Sequence, residues 1–289
     1  MLSAVHLAEI LTDRFGVPIS GEAADDSEGK RGTFRPIDIP PTQGFSVEIL
    51  IGWRTVEAQF VSGTYAAQLL GSMGNASPDQ RAAFGAFVRS AINDGARVTF
   101  RVNDHDVDPF EPSKWPGDWR SLALAMTKGP TVIDGTSPTA LDALALTWSS
   151  RLLGTVLALV PLEPVEPESE GESEGGGQQI LVTRYERSQI NRAACIEIHG
   201  ARCKVCRFDF ALVYGVIGEG FIEVHHIEPV SGIAPGTIVD PAKDLAPVCP
   251  NCHAMLHRRK PPYTIEELRA MLREAPARTI ATQGIDTGH

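Results

Sequence analysis

Two things are missing from this chain: a long uninterrupted apolar run, and a basic leader ahead of an apolar one. The most apolar stretch, TALDALALTWSSRLLGTVLALV (139–160), is broken by Asp142 and Arg151 and has Ser149 and Ser150 near its middle. A spanning helix needs about 20 predominantly apolar residues. Ser137 as N-cap and Pro138 at the first helical position instead predict a buried core helix. The opening MLSAVHLAEILTDRFG carries Glu9 and Asp13 and no basic cluster, unlike a secretory signal. Cysteine is also scarce, with five in 289 residues, and an odd number makes a poor disulfide framework. Four of the five fall into two C-x-x-C pairs, which suits zinc in a reducing compartment, so the expected location is cytoplasmic and without a membrane.

Net positive charge is absent as well. The formal charge is −10, which taken whole argues against a nucleic-acid partner. The acid is unevenly placed, however. Residues 1–162 carry −5, residues 163–178 hold six glutamates and no basic residue, and residues 179–289 come to +1. The last third is therefore not excluded from binding a polyanion.

The clearest boundary is EPVEPESEGESEGGGQQ (163–179), rich in Glu, Pro, Ser and Gly and free of aromatics, which is the composition of a charged and then flexible linker. The predicted organisation is an N-terminal recognition or regulatory domain over 1–162, a linker over 163–179, a C-terminal domain over 180–275 and a tail over 276–289. No internal repeat is visible. In the first domain, 1–15 reads as a helix, the runs from Phe45 and from Val56 as strands, and Tyr65–Met73 as a helix. SPDQRAAFGAFVRSAINDG reads as a helix capped by Ser77 and ended by Gly95, with Ala82, Phe84, Phe87, Val88 and Ile92 on its apolar face. Arg97–Val102 alternates as a strand. The class is mixed α/β. Trp115 and Trp119, around a Pro-Gly turn, read as core packing, and NDHDVDP (103–109) as a solvated turn. In the second part, TRYERSQINRAACIEIHG reads as a helix with Arg184, Arg187 and Arg192 along it, and Cys195 as a small core residue.

The chemistry concentrates after Gly200. RCKVC supplies Cys203 and Cys206, and VCPNC supplies Cys249 and Cys252. Two such knuckles converging give four thiolates, the closed shell of structural zinc, and a subdomain must be looped out between them. In that loop, FIEVHHIEP (221–229) reads as a strand bearing His225 and His226, and DLAPVC (244–249) as a second strand. PNCHAMLHRRK then starts a helix on which His253 and His257 lie four apart and share a face. A helical His pair plus a third histidine makes a three-ligand metal site with open coordination. Neighbours on a strand point to opposite faces. If one ring of the 225–226 pair is the third ligand, the other stays free to take a proton at neutral pH.

ARCKVCRFDF, GFIEVHHIEPVS and DPAKDLAPVCPNCHAMLHRR, in that order, resemble the HNH or ββα-metal endonucleases, most closely the McrA-like restriction nucleases, over about 184–273. The resemblance implies an α+β protein with a C-terminal ββα-metal nuclease domain and a four-cysteine zinc site. It implies that His225, His253 and His257 hold a catalytic divalent metal (Mg2+, Mn2+, Ni2+ or Zn2+) and that His226 is the general base. The expected products are a 5′-phosphate and a 3′-hydroxyl. Asp244 stands where the family often has an asparagine that braces the loop between the strands; an aspartate can still accept backbone hydrogen bonds. Arg258, Arg259 and Lys260 after the metal helix, with Arg187 and Arg192 before the first knuckle, are candidates for phosphate contacts. The implied partner is DNA, often modified DNA in McrA-like proteins, and the implied role is defence against foreign DNA. A double-strand cut needs two active sites, which makes a homodimer a candidate partner. The acidic N-terminal domain is a candidate to bind a regulatory ligand or protein. The competing reading is a zinc-stabilised DNA- or protein-binding module without turnover.

Overall fold

The structure, a computed structural model, describes residues 2–25, 27–134, 137–161, 187–228 and 238–274. The acidic segment 163–179, the tail 276–289 and Arg184 lie outside the described residues, as does the side chain of Arg187. The chain forms two compact units. The first comprises 1–198 with 236–243, and the second 199–235 with 244–289.

The first unit is built on one seven-stranded sheet. Its elements are α1 (Ala4–Phe15), β1 (Ile19–Asp25), β2 (Lys30–Pro36), β3 (Phe45–Ile51), β4 (Val56–Ser62), α2 (Ala67–Gly74), α3 (Pro78–Asn93), β5 (Arg97–Val102), β6 (His105–Asp106), β7 (Leu122–Lys128), α4 (Pro138–Leu159) and α5 (Arg187–His199). The strand order is β1-β2-β3-β4-β7-β5-β6, with every neighbouring pair antiparallel. Strand β7 therefore slots between β4 and the β5–β6 hairpin. Alternation sets the faces: Phe45, Val47, Ile49 and Ile51 of β3 point inward to the core while Ser46, Glu48 and Leu50 point out. Helix α1 packs on β1 and β2, and α4 lies over β3 and β4 and against α3.

Local chemistry explains the helix ends. Ser77 and Gln80 form a reciprocal capping box at α3 with Pro78 at the first position, and Gly95 beyond it takes φ +82. Helix α4 starts at the expected cap, with the Ser137 hydroxyl accepting from the Ala140 N–H, and it is buried along most of its length in the core. No helix among the described residues is long and apolar enough to cross a membrane. On α3, Phe84, Phe87 and Val88 are buried as expected, but Ile92 is exposed because it lies on the turn that leads out to Gly95. Trp115 and Trp119 are buried and pack edge-to-face or tilted against Phe84 and Phe100, with their indole N–H groups donating to the carbonyls of Asp108 and Pro116. Asn103 and Asp104 both take positive φ, making the two-residue turn of the β5–β6 hairpin.

Helix α5 departs from the division at 163–179. Its Ile190, Ala193 and Ala194 join the core of the first unit. Its Glu197 accepts from Arg151 of α4 and from Ser90 of α3. Arg151 also pairs with Asp94 and stacks on Trp148. The half-buried guanidinium thus gains charge-assisted bonds that offset its desolvation. Cys195 is buried, as a small core residue should be.

The second unit is smaller. It comprises α6 (Phe210–Tyr214), β8 (Glu223–His226), β9 (Leu245–Val248), α7 (Pro250–Leu256) and α8 (Ile265–Glu274). Strands β8 and β9 are antiparallel, pairing His225 with Ala246 and His226 with Leu245. Ile222, Leu245, Val248, Leu256, Ile265 and Leu268 are buried between these elements. Thr264 and Glu267 cap α8 reciprocally, and Arg259 is held by Glu267 and lies over the Tyr263 ring.

Candidate metal centres and active site

The first knuckle is a tight turn closed by two backbone bonds, from the Cys203 N–H to the Phe208 carbonyl and from the Arg207 N–H to the Cys203 carbonyl. The Lys204 N–H donates to the Pro247 carbonyl, which fastens this knuckle to β9. The second knuckle is the start of α7. Cys249 is its N-cap, and the Cys249 sulfur accepts from the Cys252 N–H at 3.5 Å. The four sulfurs of Cys203, Cys206, Cys249 and Cys252 all lie within 4.8 Å of one another, with Cys206 and Cys249 3.7 Å apart. A zinc tetrahedron with bonds of about 2.3 Å has edges of about 3.8 Å, so the spacing fits. The electrostatics fit too. Burial pushes the Cys203 thiol up, but backbone hydrogen bonds from Cys249, Cys206 and Val205 outweigh it and bring it down to about 7. Burial pushes Cys206 and Cys252 up. Four thiols packed this closely do not all ionise without a cation among them.

The second cluster is made of rings. His225 projects from β8, His253 from α7 and His257 from its C-terminal cap, and their centroids are 5.2, 5.1 and 4.9 Å apart, almost an equilateral triangle. One ring nitrogen from each lies within 4.8 Å of the others. His225 is only 4% exposed, and its buried Nδ1 has no hydrogen-bond partner among the described residues. An orphaned buried nitrogen costs on the order of 1–3 kcal/mol, and a cation bound at that nitrogen would remove the cost. Burial, and then the neighbouring His253, His257 and His226, hold the His225 ring down to about 4. It is therefore neutral at physiological pH, the form that ligates metal.

One residue of the cluster was not singled out from the sequence. Glu223 Oε2 accepts from His253 Nδ1 at 2.6 Å. That bond leaves the His253 Nε2 lone pair for the centre of the triangle. The signal was present in the strand period: Glu223 and His225 are two apart and so share the face of β8 that meets α7. His226, one residue on, lies on the other face of the strand and is half-buried.

The remaining candidates are spread out. The Asp244 carbonyl accepts from the Ile227 N–H and closes the base of the loop between β8 and β9, while residues 229–237 of that loop are not described. Arg258 and Lys260 are exposed after α7. Arg259 is engaged by Glu267, and Arg187 and Arg192 belong to α5 in the first unit.

The chain matches no curated protein and no solved structure. The family model of the HNH endonuclease matches residues 203–259, about a fifth of the chain, a span that runs from the first cysteine of the first knuckle past the last histidine of the triangle. Such a domain implies nuclease chemistry on DNA and the use of a divalent metal. Residues 203–259 of this chain are thus an HNH endonuclease domain, which follows the seven-stranded sheet in the sequence.

Proposed function

We propose that the protein is a metal-dependent DNA endonuclease that hydrolyses phosphodiester bonds, and that it is a McrA-like, modification-dependent or otherwise regulated restriction nuclease used against foreign DNA in the cytoplasm. The observation that carries the reading is the triangle of His225, His253 and His257 with a further imidazole, His226, next to it on the opposite face of the same strand.

The chain's own groups divide the work. His225, His253 and His257 would hold a divalent cation, and Glu223 orients His253 towards it. The cation, when bound, supplies Lewis-acid stabilisation of charge developing on the phosphate. His226 takes the proton from the attacking water. A neutral imidazole suits that task near pH 7, and its separation from the triangle by the strand keeps it from being a ligand. Cys203, Cys206, Cys249 and Cys252 would hold structural zinc, which has no open position and so clamps the first knuckle to α7 without taking part in the reaction. The Asp244 carbonyl steadies the base of the loop. Arg258 and Lys260 would meet flanking phosphates. The first unit would select the target or receive a licensing ligand or protein, and a homodimer would supply the second site needed for a double-strand cut.

The test is supercoiled plasmid, modified and unmodified, incubated with the purified protein without added metal and with Mg2+, Mn2+, Ni2+ or Zn2+. Nicking or linearisation that depends on the metal and is lost in His226→Ala is expected. DNA binding without cleavage under all these conditions would instead favour the zinc-stabilised binding module.

A further inference from the structure

The second unit has a basic cleft that borders the cysteine cluster through Cys206. It is about 590 Å3 in volume and is lined by Val205, Cys206, Arg207, Arg269, Leu272 and Arg273. One wall is the first knuckle and the other is α8. Arg207 is the residue after Cys206 and takes φ +67, a left-handed conformation fixed by its N–H bond to the Cys203 carbonyl. Its guanidinium therefore projects from a turn that the knuckle holds rigid. On α8, Arg269 and Arg273 are one turn apart on the same face. Arg269 donates to the Lys204 carbonyl at 2.6 Å and lies 4.0 Å from Glu266, which ties α8 to the knuckle and sets the width of the cleft. Arg207 and Arg273 are both exposed, and neither has a carboxylate partner among the described residues.

Uncompensated cations gathered in one cleft repel one another unless an anion lies between them. They stand out more in a chain whose net charge is −10. The lining narrows the class of anion. Among the described residues, three of the six that line it are arginines and none is aromatic, so these residues offer forked donors for phosphate and no platform for a base. Its exposed rim of Cys206, Arg207, Leu272 and Arg273 is unlike an enclosed small-molecule pocket. The position also suits a long anion. Cys206 lies 3.7 Å from Cys249 at one end of α7, and His257 caps the other end. Eight residues of helix span about 12 Å, which is about three or four base pairs of duplex.

We infer that the cleft formed by Arg207, Arg269 and Arg273 binds the DNA backbone a few base pairs from the bond to be cut, and so holds the duplex in register over the histidine triangle. The inference rests on the nuclease reading for its purpose but on the cleft alone for its binding. Two phosphate contacts are the expectation for Arg207 and Arg273, with Arg269 as the positioning residue between them.

The experiment measures binding of a short duplex by fluorescence anisotropy, without added divalent metal, over a range of salt concentrations, for the full chain and for Arg207→Ala/Arg273→Ala. Loss of two contacts should lower the slope of log K against log salt by about 1.8 and weaken binding about tenfold or more at 0.1 M salt. Arg207→Lys/Arg273→Lys should recover most of the slope. Zinc content, circular dichroism and hydrolysis of bis(p-nitrophenyl) phosphate should be unchanged in both variants. An unchanged slope in the alanine variant overturns the inference, and wild-type nicking in the same preparation would show that the nuclease reading survives it. A reduced slope in a protein that nicks with none of the metals would keep the cleft and sink the nuclease reading.

Discussion

His253 meets two requirements with its two nitrogens: Nδ1 is held by Glu223, and Nε2 is left for the centre of the triangle. Removing the carboxylate should leave the ring free to turn. Glu223→Ala is expected to weaken catalytic-metal binding about 10–100-fold, read as a rightward shift in the metal dependence of nicking, with zinc content unchanged and cleavage restored by excess metal. The adjacent pair on β8 should split in the same assay. His225→Ala should behave as a ligand loss that added metal partly rescues. His226→Ala should lose about 10²–10⁴-fold in cleavage rate at every metal concentration while keeping its fold and DNA affinity. Metal rescue of His226→Ala but not of His225→Ala would exchange the two roles.

Among the elements, α3 and α4 meet so closely at Gly154 that an added Cβ would lie 2.5 Å from carbons of the Phe87 ring. Gly154→Val should therefore destabilise the first unit by about 1–3 kcal/mol through overpacking, seen as a lower thermal midpoint. Gly71 of α2 has nothing among the described residues within 4 Å of its Cβ position, so Gly71→Ala should be neutral or stabilising by up to about 1 kcal/mol. The two substitutions compare a packed and an open glycine in the same fold. These helices were legible in the sequence because their ends are punctuated: Ser77-Pro78, Ser137-Pro138 and Gly95 act locally, within one turn. Strands β3, β4 and β5 were legible from alternation. Strands β1 (ISGEAAD) and β2 (KRGTFRP) were not, because small, charged and glycine residues give no period, and their pairing with β3 comes from tertiary contact. The ligand sets were legible in outline because cysteine and histidine spacing is itself chemical. Glu223 was not, since one carboxylate two residues from a histidine becomes informative only once α7 is seen to pack on β8.

For the molecule as a whole, the two units differ in what holds them. The first buries Phe15, Phe34, Phe84, Phe87 and Trp148 under a seven-stranded sheet. The second has a two-stranded sheet and a seven-residue helix, too short to persist alone in water. On the proposed reading, a zinc held by the four sulfurs would supply its integrity. Cys203→Ser, or strong chelation, should abolish zinc and the second unit's unfolding transition in calorimetry, while the first unit's transition persists. A zinc-free Cys203→Ser variant with both transitions intact would refute the structural role.

Helix α5 makes covalent connection and folding partnership two different things in this chain. It follows the acidic segment, yet Ile190, Ala193, Ala194 and Glu197 complete the core that residues 1–162 begin. Expressed together as separate polypeptides, 1–162 and 180–289 should find each other as complementing fragments and co-purify, and the shorter arm made alone should show an exposed apolar seam and bind hydrophobic dye. Glu197→Arg would place like charge against Arg151 and should part the fragments. If the two arms pass through a sizing column separately with Glu197 intact, the helix is only a neighbour of that core and not a piece of it.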